Sequence, residues 1–316
     1  MTAVKDKLRT RADLLRRVRS FFDGRGVLEV ITPVLSRAAG TDPAIEPLKT
    51  RYTGPGHPQG LELYLQTSPE FPMKRLLAAG SGPVYQIAQV FRDGEYGPRH
   101  NPEFSLLEWY RPGFDHHALM GEVAELVIEV LQMDLPIEKI AYVDLFREHL
   151  GWHPLEAELS MLEARARELD LLVEGITTRD QWLDLFMSLV IEPQLGNECL
   201  TFIYDYPASQ ASLARISPDD SALASRFELY YRGVELANGF HELTDAREQR
   251  RRFEQENLQR QHQGQRPMPV DEYFLAALEA GLPDCAGVAL GLDRLLMLKL
   301  NVSCLDDVLS FSLKNA

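Results

Sequence analysis

Arg92 and Arg99 lie in the segment RDGEYGPRHNPE, which joins two apolar, β-favouring runs at residues 84–91 and 104–110. That segment has no apolar face to bury, so the pattern predicts a hairpin with a charged tip. Arginine is the side chain best shaped for bidentate phosphate recognition, and a tip held on a rigid sheet would suit the phosphates of a nucleotide. A solvated loop with ordinary surface charges has the same composition, and these residues alone leave both readings open. Glu235, Asn238 and Glu242 form a second set: two carboxylates beside an asparagine, on a strand and its exit, suit a metal-bridged triphosphate and a cationic side chain. A third is Thr67-Ser68-Pro69-Glu70, where Ser68 has the type of an N-cap and Pro69 that of a first helical residue. Capping alone would explain it, although a helix start also points N–H groups at whatever binds there. At residues 287–294, Gly-spaced residues run from a strand into a helix ending on Arg294, which could reach a γ-phosphate or stack on adenine. Close packing would produce the same glycines. There is no Gly-Lys dipeptide, which excludes a Walker P-loop, and His241-Glu242 lacks the second histidine of a zinc-protease motif.

Such groups need a scaffold. Leu8, Leu14, Leu15, Val18, Phe21 and Phe22 follow helical spacing, and residues 27–31 then read as a strand ending at Thr32-Pro33. Residues 51–60 are a Gly/Pro loop, and 61–66 alternate as a strand. Helices are expected at 116–132, 157–169, 179–189, 245–261 and 270–280, with strands at 227–231 and 234–238 around an Arg232-Gly233 hairpin turn. His116 and His117 could be ligands, but read first as surface or capping residues. The expected class is α+β, a single domain over 1–316 with a mainly helical insertion at about 134–198 that carries no readable constellation.

Composition bounds the functions. The 33 basic and 47 acidic residues, a net −14, argue against a protein that coats nucleic acid, while residues 1–25 form a local basic stretch that also reads as a polar helix face. Cys199, Cys285 and Cys304 lie far apart without a CxxC spacing, so neither a zinc knuckle nor a disulfide framework is expected. No apolar run has the length of a membrane span and the N-terminal segment is charged, so the expected location is the cytoplasm, with no membrane partner.

Phe91-Arg92, His100 to Phe104 and Glu108-Trp109-Tyr110 together resemble motif 2 of the class II aminoacyl-tRNA synthetases, in its lysyl-tRNA synthetase form. The opening helix, strand and proline resemble motif 1, and residues 287–294 motif 3. The segment from Glu235 to Asp245, ELANGFHELTD, is similar to the lysine-specific subgroup. The resemblance implies a class II catalytic core, a mainly antiparallel sheet flanked by helices, working as a homodimer with ATP and Mg²⁺. Arg92, Glu235 and Arg294 are the implied catalytic residues. Arg92, Gly94, Glu95, Asn101, Phe104, Glu235, Leu236, Gly291 and Arg294 would bind ATP, with Glu235 on the metal. Ser68, Glu70, Tyr110, Asn238, Glu242 and Ala289 would bind the amino acid, Glu242 pairing with its distal ammonium. One departure is Gly94, where the family usually has Phe-Arg-x-Glu; either the adjacent Glu95 or backbone groups take that contact on the adenine side.

Lysyl-tRNA synthetases carry an anticodon-binding barrel before motif 1, and this sequence has no room for one there, so tRNA is not the expected acceptor. The resemblance extends to the truncated paralogues of these synthetases, which join (R)-β-lysine to a lysine of translation elongation factor P. Ala289, where lysyl-tRNA synthetases have glycine, fits that subgroup and would bias the pocket from lysine toward its β-amino isomer. Two alternatives remain open: an enzyme that charges tRNA or another acceptor, and a catalytically silent binding module, for which Gly94 is the best argument.

Overall fold

The computed structural model of the chain describes residues 2–171 and 175–316. The first helix, α1 (Thr2–Asp23), buries Leu14, Val18, Phe21 and Phe22, the inner stripe of its apolar spacing. Then follow β1 (Leu28–Glu29), β2 (Leu35–Ser36), β3 (Lys49–Tyr52), β4 (Leu61–Leu65), α2 (Glu70–Ala78), β5 (Val84–Phe91), β6 (Glu103–Pro112) and α3 (His116–Leu131). The middle of the chain supplies β7 (Ile137–Ala141), α4 (Tyr142–Leu150), α5 (Leu159–Glu168) and α6 (Arg179–Phe186). The last third is β8 (Leu200–Pro207), β9 (Leu223–Tyr231), β10 (Val234–His241), α7 (Ala246–His262), α8 (Glu272–Gly281), β11 (Cys285–Gly291) and α9 (Leu292–Lys299).

Eight of the strands form one sheet in the order β1-β5-β6-β11-β10-β9-β8-β7, antiparallel except for the two edge pairs β1–β5 and β7–β8. A small antiparallel sheet, β2-β4-β3, lies beside it. Because side chains alternate along a strand, the large sheet has two different faces. One packs Leu107, Trp109, Val288 and Leu290 against α1, α3 and α9 in the main core. The other is roofed in part by α2 and α8, where Met73, Leu77, Phe274 and Leu278 meet Val84 and Tyr110. No helix among the described residues is long and apolar enough to cross a membrane.

Several expectations are corrected. Of residues 27–31 only Leu28 and Glu29 are in strand register with β5; Val30 N–H still donates to the Tyr85 carbonyl at 2.9 Å, and the chain leaves this edge at Ile31, which is 93% exposed. The loop expected at 51–60 begins two residues later, since β3 runs to Tyr52. Ser68 is not the N-cap of α2; Pro69 holds that position, and the Ser68 hydroxyl accepts from Glu70 N–H at 3.0 Å from one residue further back. The segment at 134–198 is helical in its greater part, but it also gives the sheet its edge strand β7, and residues 172–174 lie outside the described residues. Its helices bury Trp182, Phe186 and Phe146 against Ile203, Tyr206 and Tyr230 of β8 and β9.

Candidate active site

The sheet face turned away from α1 and α3 floors a cavity of about 550 Å³, within the usual range for a small-molecule site. Strand register decides which side chains meet there. One row across the sheet runs Glu228, Asn238, Ala289, Glu108, Gln86, and the next runs Arg226, Phe240, Gly287, Tyr110, Val84. Glu235 and Asn238, three residues apart, would face opposite sides of an unbroken strand. A bulge in β10 between Glu235 and Ala237 inserts one extra residue, and both side chains line the cavity.

Among the guanidiniums on the cavity wall are those of Arg92 and Arg294. Arg92 follows the last residue of β5; it is held only by long contacts, 3.4 Å to Glu95 Oε1 and 3.5 Å to the Thr67 carbonyl, and rests over the Phe104 ring. Arg294, in the first turn of α9, donates to the Glu235 carboxylate at 3.1 Å and to the Glu235 carbonyl at 3.0 Å, with His100 Nε2 2.9 Å away. The hairpin tip is anchored across the sheet where Arg99 donates to the Gly233 carbonyl at 2.6 Å. Although Arg99 and His100 are exposed, Arg92, Glu95, Arg99, His100 and Asn101 of this tip all line the cavity. Asn101 spends its amide on the backbone, donating to the Glu103 carbonyl at 2.6 Å and accepting from Leu313 N–H at 3.3 Å. Among the described residues no three His, Cys, Asp or Glu side chains are grouped to hold a metal. A divalent ion at Glu235 would thus need phosphate oxygens as further ligands, the usual arrangement for magnesium.

An acidic cluster forms at another part of the cavity. Glu108 accepts from the Ser68 hydroxyl at 2.6 Å and from the Tyr110 hydroxyl at 2.7 Å. Burial, followed by the charge of nearby Glu70, pushes its carboxyl up to about 7. Lys74, 1% exposed, bridges two more acids, with Nζ 2.6 Å from Glu70 Oε1 and 2.5 Å from Glu242 Oε2. Burial pushes Glu242 up to about 8 against the pull of Lys74, while the two carboxylates outweigh burial and raise the lysine.

Most of the residues singled out from sequence meet here: Ser68, Glu70, Phe104, Tyr110, Leu236, Ala289 and Gly291 line the same cavity. Two do not. Gly94 lies off the wall in a turn where its N–H donates to Asp93 Oδ1 at 2.9 Å, and Glu95 is the neighbour that reaches the cavity. Glu242 lies behind the wall against Lys74. Sequence reasoning named Glu108 only as part of motif 2, without a role, and missed Lys74, Arg226 and Glu228. Arg226 pairs with Glu228, donates to Asn238 Oδ1 at 3.3 Å and lies over the Tyr206 ring. Glu228 also accepts from the Tyr206 and Tyr230 hydroxyls, each at 2.7 Å. Lys74 had a visible signal, its i,i+4 spacing from Glu70. Glu108 could have been found from its alternation with Tyr110.

The sequence model of the family described as tRNA synthetases class II (D, K and N) matches residues 1–315. A curated protein of Klebsiella pneumoniae (strain 342), named elongation factor P--(R)-beta-lysine ligase, is 52% identical over 308 residues, covering 97% of this chain and 94% of that protein. Proteins of the same name from Salmonella dublin and Salmonella paratyphi B match to the same extent.

Proposed function

The chain belongs to the class II tRNA synthetases of the D, K and N type, and from that premise we propose that it is an ATP-dependent ligase that activates (R)-β-lysine and transfers it to a lysine side chain of elongation factor P. The observation that carries the reading is the composition of a single cavity, which sets the guanidiniums of Arg92 and Arg294 in one part and Ser68, Glu70, Glu108 and Tyr110 in another. That is the complement of a polyphosphate beside a diamino acid.

In the first step a carboxylate oxygen of the amino acid attacks the α-phosphorus of ATP. The new C–O–P bond forms as the bond to the β-phosphate oxygen breaks, giving an aminoacyl-adenylate and pyrophosphate. Arg92, weakly held where it stands, is free to turn its donors onto the α-phosphate, and Arg294 onto the outgoing tail. Asn101, Phe104, Gly291 and Leu236 shape the nucleotide part of the wall, and Glu95 takes the place left by Gly94. A magnesium ion at Glu235 would supply neutralisation between phosphates. Catalysis of this kind rests on orientation and preorganised charge rather than a covalent enzyme intermediate. In the second step the acceptor lysine's amine attacks the carbonyl, AMP leaves, and the amine's proton is lost.

The acidic cluster holds the ammonium groups, and Ala289 stands between Asn238 and Glu108 in the sheet row, where its methyl narrows the pocket. The apolar side chains of Leu28, Ile31 and Leu35, exposed beyond α1, suit a homodimer contact. The test is amino-acid-dependent pyrophosphate exchange with (R)-β-lysine and with lysine, followed by transfer of the labelled amino acid to elongation factor P and to tRNA. Exchange with labelling of the protein factor is expected. No exchange with either amino acid overturns the activity, and labelling of tRNA instead overturns the acceptor.

A further inference from the structure

Lys74 is unusual in being a cation buried directly behind the wall of a pocket read as a receptor for cations. It comes from α2, and its ammonium touches Glu70 on the same helix and Glu242 just beyond β10. Other elements around it contribute Glu108 and Tyr110 from β6 and Cys285 from β11, while α8 presents the Phe274 ring at 5.8 Å. Cys285 is held neutral, its thiol pushed up to about 12 by burial, and the Tyr110 phenol is raised by burial as well. The charged groups held together around Lys74 are therefore three carboxyls and one ammonium, a formal balance of two negative charges, with Glu256 of α7, its carboxyl pushed up to about 7 by burial, a fourth acid facing Glu70 across the cavity. A diamino acid brings two ammonium groups, and its carboxylate belongs with the arginines. Both carboxylate oxygens of Glu242 are buried and neither accepts a hydrogen bond among the described residues, Oε2 being met only by the Lys74 ion pair, an unmet demand that a substrate donor would satisfy.

We infer that Lys74 is a positioning residue for the amino acid, the permanent counter-ion of a three-carboxyl cluster whose remaining charge is matched by the two ammonium groups of the substrate, which displaces protons from the cluster as it binds. The inference rests on the ligase reading above and deepens it. Burial without enough positive charge makes the empty cluster hold protons near neutrality, as the raised Glu108 and Glu242 carboxyls indicate. Each arriving ammonium favours the ionised form and expels them. Affinity for the amino acid should then increase with pH up to about 8, beyond which the cluster is ionised before the substrate arrives. Without Lys74 the three carboxyls repel one another unrelieved and hold their protons to higher pH.

The test has two arms. In the first, Lys74→Met is compared with the unaltered protein by pyrophosphate exchange between pH 6 and 9. The expected result is a rise of about 10-fold or more in KM for (R)-β-lysine at pH 7, with the plateau of 1/KM displaced upward by about one pH unit and kcat within about threefold. An effect of Lys74 on folding alone would lower the melting temperature and the active fraction but leave the KM–pH profile in place, and that result overturns the inference. In the second arm, which does not depend on the variant folding, the unaltered protein is titrated with (R)-β-lysine at pH 7 in phosphate and in Tris, whose ionisation enthalpies differ. Release of roughly half a proton or more per amino acid bound is expected. Binding and exchange without proton release overturn the inference and leave the ligase reading standing, whereas absence of both binding and exchange overturns the ligase reading itself.

Discussion

Replacing Gly287 with alanine places one methyl group against two side chains of the acidic cluster. Gly287 lies opposite Tyr110 on β6 and Phe240 on β10, and a Cβ built there would overlap both the Tyr110 ring and the Glu242 carboxylate. Ordinary carbon contacts lie at about 3.5–4.0 Å, so one or both neighbours must retreat by on the order of 1 Å. Neither has free space: Tyr110 is 2% exposed and Glu242 1%. The Tyr110 hydroxyl would carry its 2.7 Å bond to Glu108 with it, and Glu242 would pull on Lys74. Overpacking of this kind costs about 1–3 kcal/mol of stability. Misplacing a site by about 1 Å costs on the order of 100-fold in rate. Gly287→Ala should therefore fold with a melting temperature lower by several degrees and lose about 100-fold in kcat/KM for (R)-β-lysine in pyrophosphate exchange. The control is Gly239→Ala, whose methyl would strike the Phe227 ring on the core face of the same sheet. It should be destabilised similarly but keep kcat/KM within about threefold. The reasoning is refuted if Gly287→Ala retains near-normal exchange, or if the two variants lose activity in parallel with stability.

Three further outcomes follow from the same geometry. Arg92→Ala should lose about 1.5–3 kcal/mol of transition-state stabilisation for each charge-assisted bond removed, seen as a fall of at least about 10-fold in exchange rate. Its melting temperature should barely change, because the guanidinium's present contacts are as long as 3.4 and 3.5 Å. Ala289→Gly removes the methyl between Asn238 and Glu108 and should raise the lysine to (R)-β-lysine ratio of kcat/KM by about 10- to 200-fold; an unchanged ratio would show that the methyl does not discriminate. Glu256 is pushed up to about 7 by burial, so the native state keeps a proton that the unfolded chain gives up near pH 4.5. Its contribution to stability is full below about pH 4.5 and declines as pH rises toward 7, by on the order of 1–3 kcal/mol in total. Glu256→Gln keeps an acceptor for the Thr41 hydroxyl, and melting curves from pH 5 to 8.5 should show it more stable than the parent at pH 8 and no more so at pH 5.

What could be read from the sequence, and what could not, divides along one physical line. Local pattern was informative wherever a short stretch decides its own conformation. The two apolar runs flanking a charged segment became β5 and β6, and Arg232-Gly233, both with positive φ, closes the two-residue turn between β9 and β10. The residues recognised by family resemblance were also mostly brought to one cavity, since motifs mark positions whatever fold carries them. What could not be read was set by pairing between distant segments. Nothing in ELANGF announces a bulge, yet the bulge is what turns Glu235 to the side of Asn238. The row Asn238–Ala289–Glu108 joins three strands from distant parts of the chain, and a slip of one residue in either pairing would reverse which face each side chain occupies. β7 offers little apolar alternation and is a strand because β8 provides it with a partner.

Lys74 is the sharpest case of that division. On its own helix it is an ordinary i,i+4 partner of Glu70, of the kind found on solvated helix faces. Only the packing of α2 beside α8 over the sheet, which brings it to Glu242 just beyond β10, converts it into a buried ion held by two carboxylates far apart in sequence. Glu242, expected to pair with the substrate's distal ammonium, is already paired with an internal one, and any amino acid that reaches it must share the carboxylate. On that inference, a pocket with a lysine ammonium buried behind its wall is built around the charge it is to receive. Its selectivity for a second and third ammonium then depends on how many protons the surrounding acids must release, a property of the assembled cluster that none of its residues has alone.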